Sequence, residues 1–149
     1  MAKKLGVYRC ASCGYTLEVI ELGEKKSTCT GSGYSLSCFI ADAKVVCCGK
    51  PMEMLEPNKV DASTEKHLPA GIFTEDRKLL VKVGEVAHPM LAEHYIQWIA
   101  IVYGDTVQRV KLEPGQAPEA IFSLANDVAE LDMYAYCNLH GLWQVTFKT

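Results

Sequence analysis

The chain has 149 residues, 49% of them apolar, and a formal net charge of −3. This length holds one ordinary domain or a small domain beside a medium one, and the apolar fraction excludes an intrinsically disordered chain. The mild acidity and the lack of a basic stripe exclude nucleic acid as an expected partner.

The amino terminus and the longest apolar run indicate where in the cell the protein is expected. Residues 1–6 carry charge with no apolar stretch behind them, so no secretory signal is predicted. Residues 95–103 are interrupted by Gln97 and are too short to cross a bilayer. Six of the seven cysteines precede residue 49, and in a chain without an export signal such clustering favours metal ligands over disulfides. We therefore expect a cytoplasmic protein with no membrane partner.

Two cysteine pairs define a first candidate metal site. Cys10 and Cys13 form a Cys-x-x-Cys knuckle, and the glycine after it permits the backbone angle of such a turn. Cys47 and Cys48 are adjacent, so they can bind one ion only through a bent backbone, which Gly49 can supply. Four thiolates suit zinc or a single iron equally well. Few other large apolar residues lie nearby, so a metal is expected to supply much of the folding free energy.

Two further cysteines lie in a Gly/Ser-rich stretch between these pairs. Cys29 and Cys38 are interpreted first as bystander thiols on a loop, and second as a disulfide. With Cys10 and Cys13 they would also make a different four-thiolate set. The ligands of the first site therefore remain open between these sets.

The composition changes at residues 56–58, where the cysteine-rich part stops. We predict one domain over residues 1–56, with an insert around residues 27–40, and a second over residues 57–149. In the second, alternating patterns predict short strands at residues 79–83, 95–103, 106–112, 120–124, 131–136 and 142–147. Short, evenly spaced strands favour an antiparallel β-sandwich or barrel. The alternation also predicts His94, Ile96, Trp98, Ala100 and Val102 on one face of their strand.

All four histidines of the chain, together with Cys137, lie at predicted loop edges. These five residues are His67, His88, His94, Cys137 and His140. His67 is expected in a loop where a ligand can be exposed. Cys137 and His140 lie in a predicted hairpin connection, where Asn138 and Gly141 suit a left-handed backbone. The pattern predicts one mononuclear metal site; a facial triad using Glu93 would leave Cys137 unexplained.

At this point the sequence resembles a known family. Cys10-x-x-Cys13 with Cys47-Cys48-Gly49 resembles the iron centre of desulforedoxin, which forms the amino-terminal domain of desulfoferrodoxin, although the family has a shorter segment between the pairs. Three further blocks resemble the signature of superoxide reductase: Glu65-Lys66-His67-x-Pro69, His88-Pro89-Met90-x-x-Glu93-His94 and Cys137-Asn138-x-His140-Gly141.

This resemblance implies a desulforedoxin-like domain followed by an immunoglobulin-like antiparallel β-sandwich. It implies iron in the amino-terminal site, with zinc possible there, and a catalytic iron with four histidine ligands in its plane. Cys137 would be the axial ligand, Glu65 a mobile sixth ligand, and Lys66 the cation that attracts superoxide. The implied reaction reduces superoxide to hydrogen peroxide with electrons from a rubredoxin-like carrier, in a homodimer.

Two other function classes stay open from the sequence. One is a non-catalytic electron-transfer protein in which both iron centres only pass electrons. The other is a zinc-stabilised binding module with the same fold. Reaction with superoxide separates the first class from the enzyme, and metal analysis separates the second.

Overall fold

The computed structural model describes residues 5–20, 45–58 and 64–149, except for the side chains of Thr64 and Glu65. Cys29 and Cys38 lie outside the described residues. The chain forms two compact units, one within Leu5–Leu55 and the other within Glu56–Thr149. Among the described residues, no helix has the length and apolar character needed to cross a membrane.

The smaller unit consists of short antiparallel strands. They are β1 (Gly6–Arg9), β2 (Thr16–Val19), β3 (Val46–Cys47), β4 (Lys50–Pro51) and β5 (Glu53–Met54). The order β2-β1-β5 forms one sheet, and β3 pairs with β4 in a separate hairpin. Among its described residues, the buried apolar side chains are Leu5, Val7, Cys10 and Met52. So small a core contributes little stability of its own.

The larger unit begins with one helical turn and continues as strands. Its elements are α1 (Thr64–His67), β6 (Pro69–Phe73), β7 (Leu79–Val83), β8 (Ile96–Tyr103), β9 (Thr106–Lys111), β10 (Glu119–Phe122), β11 (Glu130–Cys137) and β12 (Gly141–Lys148). They form two antiparallel sheets, β10-β7-β6 and β12-β11-β8-β9. The all-β prediction is confirmed; the pattern had missed α1 and β6.

One apolar core joins the two sheets. In β7 the side chains of Leu79, Val81 and Val83 are buried while Lys82 is exposed, which is the period of two expected of a strand with one face inward. β8, β10 and β11 add inward residues to the same cluster. Each fully buried aliphatic side chain contributes roughly 1.5–3 kcal/mol. The sheets therefore form a face-to-face sandwich, which is one of the two architectures that the strand pattern left open and the one that the family resemblance implies.

The β11–β12 hairpin forms as predicted and ends at Cys137, which pairs with Gly141. Gly141 has the expected left-handed backbone, with φ of 83°. Asn138 does not, so that part of the prediction is wrong. Asn138 instead contributes to this turn through hydrogen bonds of its side chain, as described below.

A β-bulge changes which face of β8 carries the residues before Trp98. Tyr136 pairs with Trp98, but the next residue, Cys137, pairs with Ile96, so Gln97 is an extra residue. Beyond the bulge Ile96 joins the core, while Trp98 stacks on Tyr136. The prediction that Ile96 and Trp98 share one face is therefore wrong, since a bulge reverses the alternation.

Candidate metal centres

Five side chains from four parts of the sandwich converge at one end. They are His67 at the end of α1, His88 and His94 in the β7–β8 connection, Cys137 at the end of β11, and His140 in the following turn. One ligand atom from each residue lies within 4.8 Å of all the others. The bulge contributes to this, because it brings the segment before Ile96 to the side of the sheet that carries Cys137.

The four imidazole rings stand around a common centre. Neighbouring rings, taken in the order His67, His88, His94, His140 and back to His67, have centroids 4.6–4.9 Å apart and planes at 69–80°. His67 and His94 lie across the centre, 6.4 Å apart. Four near-equal sides and one longer diagonal describe a square. This arrangement suits four ligands in one plane around an ion.

The distances between the ligand atoms agree with a square of four nitrogens around one ion. His67 Nε2 lies 2.8 Å from His140 Nδ1. Adjacent nitrogens in a square around an ion with bonds of about 2.1 Å would be about 3.0 Å apart. Cys137 Sγ lies 3.6 Å from the same His140 Nδ1, so the sulfur also borders the centre.

Two of the histidines carry nitrogens that lack any hydrogen-bond partner among the described residues. His88 Nδ1 donates to the Pro89 carbonyl at 2.7 Å, which leaves Nε2 as the nitrogen with the free lone pair. His88 Nε2 and His94 Nε2 are both buried without a hydrogen bond. A buried polar atom left this way costs about 1–3 kcal/mol. An ion bound at the centre removes that cost, so these residues fit a metal.

Electrostatics keep these rings in the neutral form that binds metals. Burial lowers the pKa of His88 to about 4, and the nearby rings of His67, His94 and His140 add to the effect. Burial also lowers the pKa of His94, with smaller contributions from His140 and His67 and from the charge of Lys66. Both rings are therefore neutral at pH 7, as metal binding requires.

Cys137 is fully buried at the edge of the core. Burial raises the pKa of its thiol, while the backbone N–H groups of His140 and Leu139 act in the opposite direction by hydrogen bonding to the sulfur. The turn therefore supplies two donors to a thiolate, and a bound cation would favour that ionised form. Cys137 is the one side chain of the five that can bind a metal as an anion.

The segment that carries Lys66 and His67 is held by a close backbone approach. Gly84 has φ of 85°, and a Cβ built on it would lie 2.7 Å from the Lys66 carbonyl oxygen. The Gly84 N–H donates to the Leu68 carbonyl at 3.0 Å. Lys66 is exposed, but His67 is only 3% exposed, contrary to the exposed loop ligand that we expected.

Trp143 buries His67 from the side of β12. The two rings stack with centroids 4.7 Å apart and planes 16° apart. A stacked indole of this size fixes the orientation of the imidazole. The side chain of Glu65 lies outside the described residues.

The second group consists of four thiols in the smaller unit. The sulfurs of Cys10, Cys13, Cys47 and Cys48 lie within 4.8 Å of one another. Cys47 Sγ lies 3.6 Å from Cys13 Sγ and 3.9 Å from Cys48 Sγ. A tetrahedron with metal–sulfur bonds of about 2.3 Å has edges of about 3.8 Å, so the spacing fits one ion.

The bend expected near Cys47 is present. Cys48 and Gly49 form the two-residue turn of the β3–β4 hairpin, with φ of 52° and 73°. Two positive angles are typical of the type I′ turn, and they bring both neighbouring sulfurs to one side. Cys29 and Cys38, which would complete the other set, lie outside the described residues.

These thiols cannot all ionise together without a cation. The pKa of Cys10 is lowered to about 6, chiefly by a hydrogen bond from the Cys13 backbone N–H. The pKa of Cys47 is raised to about 12, chiefly by its side-chain contact with Cys13 and then by its contact with Cys10. Ionisation of one thiol therefore disfavours ionisation of its neighbour, and a bound cation removes this repulsion between thiolates.

Two asparagines near the first group were not predicted from the sequence to act through their side chains. Asn58 Nδ2 donates to the carbonyls of His140 and Leu142 at 3.4 and 3.2 Å. The Asn138 side chain bonds to the backbone on both sides of His94. Nothing in the sequence pattern marks these contacts, because they join segments that are distant in the chain.

Comparison with known proteins places these groups in context. The family model described as desulfoferrodoxin matches residues 59–146. The chain is 43% identical to the desulfoferrodoxin of Syntrophotalea carbinolica, over 96% of this chain and 97% of that protein. It is 32% identical to the superoxide reductase of Pyrococcus horikoshii, over 56% and 87% respectively. The crystal structure of the superoxide reductase from Treponema pallidum is similar, with a TM-score of 0.70, 27% identity, and coverage of 95% and 98%.

Proposed function

This chain belongs to the desulfoferrodoxin family, and we propose that it reduces superoxide to hydrogen peroxide at the group around Cys137. The observation that carries the proposal is the convergence of four imidazole rings and one buried thiol on a single centre. The family and the two ligand groups together are consistent with two iron sites.

We assign His67, His88, His94, His140 and Cys137 as the residues that would hold the catalytic iron. The square of rings supports the four imidazoles as one set of ligands. Cys137 Sγ, the only sulfur in the group, would supply the thiolate. Glu93, considered as an alternative ligand, is not in the group; its carbonyl accepts from Asn138 Nδ2 at 3.0 Å.

Iron at this centre would supply one electron per cycle, which with two protons converts superoxide to hydrogen peroxide. The protein's part is to attract the anion and to manage charge. Four neutral rings and one thiolate leave a ferrous site with a net positive charge. Lys66 adds an exposed cation on the same segment as His67, and its charge already acts on His94. Positive charge near the centre raises the rate at which an anion such as superoxide reaches it.

In this proposal residues 1–56 form a desulforedoxin-like domain and residues 57–149 the catalytic domain. Cys10, Cys13, Cys47 and Cys48 hold the iron of the first. Glu65 is proposed as the mobile sixth ligand of the second. A small rubredoxin-like carrier returns the electron after each cycle, and the protein acts in the cytoplasm as a homodimer.

The reaction with superoxide tests the proposal directly. The fully reduced, iron-loaded protein is mixed with superoxide generated by a radiolysis pulse, and oxidation of the catalytic iron is followed by absorption. We expect a second-order reaction close to the diffusion limit, about 10⁸–10⁹ M⁻¹s⁻¹, with one hydrogen peroxide formed per superoxide. An electron-transfer protein without this activity would show no bimolecular oxidation by superoxide.

A further inference from the structure

The pairing of β8 with β11 stops at the metal centre, and one side chain carries it further. The last backbone pair joins Cys137 to Ile96, after the bulge at Gln97. Beyond it the chain turns outward through Asn138, while the other strand leads back to His94. Without further contacts, the segment with His94 would be tied to Cys137 only through the end of the sheet.

Asn138 supplies those contacts. Its backbone N–H donates to the Tyr95 carbonyl at 3.2 Å. Its side-chain Oδ1 accepts from the Tyr95 N–H at 2.9 Å, and its Nδ2 donates to the Glu93 carbonyl at 3.0 Å. The orientation of the amide is fixed by its partners, because an N–H requires an acceptor and a carbonyl requires a donor. The two side-chain bonds grip the peptides on either side of His94.

The chemistry of the side chain explains the choice of residue. A carboxamide has one carbonyl acceptor and an N–H donor, as a peptide bond does, so it can continue a ladder of backbone hydrogen bonds past the last pair of strands. Asp lacks the donor, Ser lacks the reach for both partners, and Leu lacks both groups. The negative φ of Asn138 shows that a left-handed turn does not require it here.

We propose that Asn138 is a positioning residue that fixes His94 against Cys137 by extending the β8–β11 pairing through its side-chain amide. It touches neither substrate nor metal and acts through the two ligands that it holds together. This role rests on the proposed function only in requiring a metal at this centre.

The test compares Asn138→Ala and Asn138→Asp with the wild-type protein, each iron-loaded and full length. Asn126→Ala is the matched control. Asn126 lies in the β10–β11 connection, at the end of the sandwich opposite to the hairpin of Cys137. The probe is Fe²⁺, followed through the absorption that the oxidised site owes to Cys137. Its release to a chelator and the hydrogen exchange of the Tyr95 amide are measured in each protein.

For Asn138→Ala we expect iron affinity to fall about tenfold to a hundredfold, as for other residues that hold metal ligands in place. The Cys137 absorption should shift, and the Tyr95 amide should lose protection. Asn138→Asp keeps the acceptor for Tyr95, so it should keep that protection while still losing iron affinity. If Asn138→Ala does not fold, the iron affinity of Asn138→Asp alone tests the positioning role. Asn126→Ala should change none of these quantities.

Iron affinity within about twofold of wild type in a folded Asn138 variant, with an unshifted absorption, would overturn the positioning role. A wild-type protein that binds no iron at this centre would instead refute the proposed function. The two failures are therefore distinguishable.

Discussion

The two ligand groups of this chain depend on their surroundings in opposite ways. In the smaller unit, four thiols gather on short turns, and the described core beneath them consists, besides Cys10 itself, of three apolar residues. In the larger unit, the ligands come from four parts of a sandwich whose core cluster holds thirteen buried residues. We infer that a metal holds the fold together at the first site, whereas the fold holds the ligands in place at the second.

Removing the metals should separate the two units most strongly. With a chelator under reducing conditions, we expect the unit within Leu5–Leu55 to lose its structure, because a four-thiolate site can contribute about 10 kcal/mol or more to folding. The sandwich should persist. Amide exchange measured strand by strand shows this as lost protection in β1 and β2 and retained protection in β8 and β11. An equal loss of amide protection in both units would contradict the inference that only the smaller unit depends on its metal to fold.

Deletion of Gln97 should destroy the second site while sparing the first. Without the extra residue the β8–β11 ladder runs straight, and the strand that leads to His94 loses the bend and added twist that the bulge gives it. We expect iron to be absent from the sandwich, with the thiolate site still loaded. Metal analysis of the purified variant checks this.

Gln97→Ala is the control for that deletion, because it keeps the number of residues in β8. It should retain iron at both sites. Full iron loading in the deletion variant would show that the bulge does not position His94.

Acid should destabilise the metal-free sandwich through its buried histidines. The pKa of His88 is lowered to about 4 in the folded protein, whereas an unfolded histidine titrates near 6.5. The unfolded state therefore binds the proton first, and stability is lost as the pH falls from about 6.5 towards 4. Above pH 7 this contribution does not change.

The expected loss from His88 is on the order of 3 kcal/mol, because one pKa unit corresponds to about 1.4 kcal/mol. Urea unfolding of the chelated protein at pH 7.5 and pH 4.5 measures it. His88→Leu should reduce the difference between the two pH values. A stability that is the same at both values in the unsubstituted chain would contradict the neutral, buried state of this ring.

The smallest expected effect is kinetic. Lys66→Ala should slow the reaction with superoxide by several-fold and flatten its dependence on ionic strength, because one cation near the centre is lost. Lys78→Ala is the matched control, since that exposed lysine pairs with Asp76 at 2.8 Å in the β6–β7 hairpin. An unchanged rate and salt dependence in Lys66→Ala would remove this residue from the mechanism.

The sequence predicts the ligands and strands of the two units from different kinds of pattern. Local spacing was enough to group Cys10 with Cys13 and Cys47 with Cys48, because each pair lies on one turn. Alternation predicted most strands of the sandwich, since each has one face in the core. The order of His88, His94, Cys137 and His140 along the chain, together with the family signature, pointed to one site.

What the sequence could not predict depends on contacts between distant segments. The bulge at Gln97 has no local marker, so the faces of β8 were assigned wrongly. The burial of His67 follows from stacking on Trp143, which lies far along the chain. The role of Asn138 was attributed to its backbone, because its side-chain partners become neighbours only after the sheet forms.

Iron content, measured together with the optical spectrum of the oxidised protein, tests most directly whether the chain holds two iron sites with separate ligands. We expect two iron ions per chain and two sets of sulfur-to-iron absorption. Cys137→Ser should lose one set and leave the other, and Cys13→Ser should show the reverse. A colourless protein that contains zinc, or a Cys137→Ser variant with both sets intact, would contradict the account.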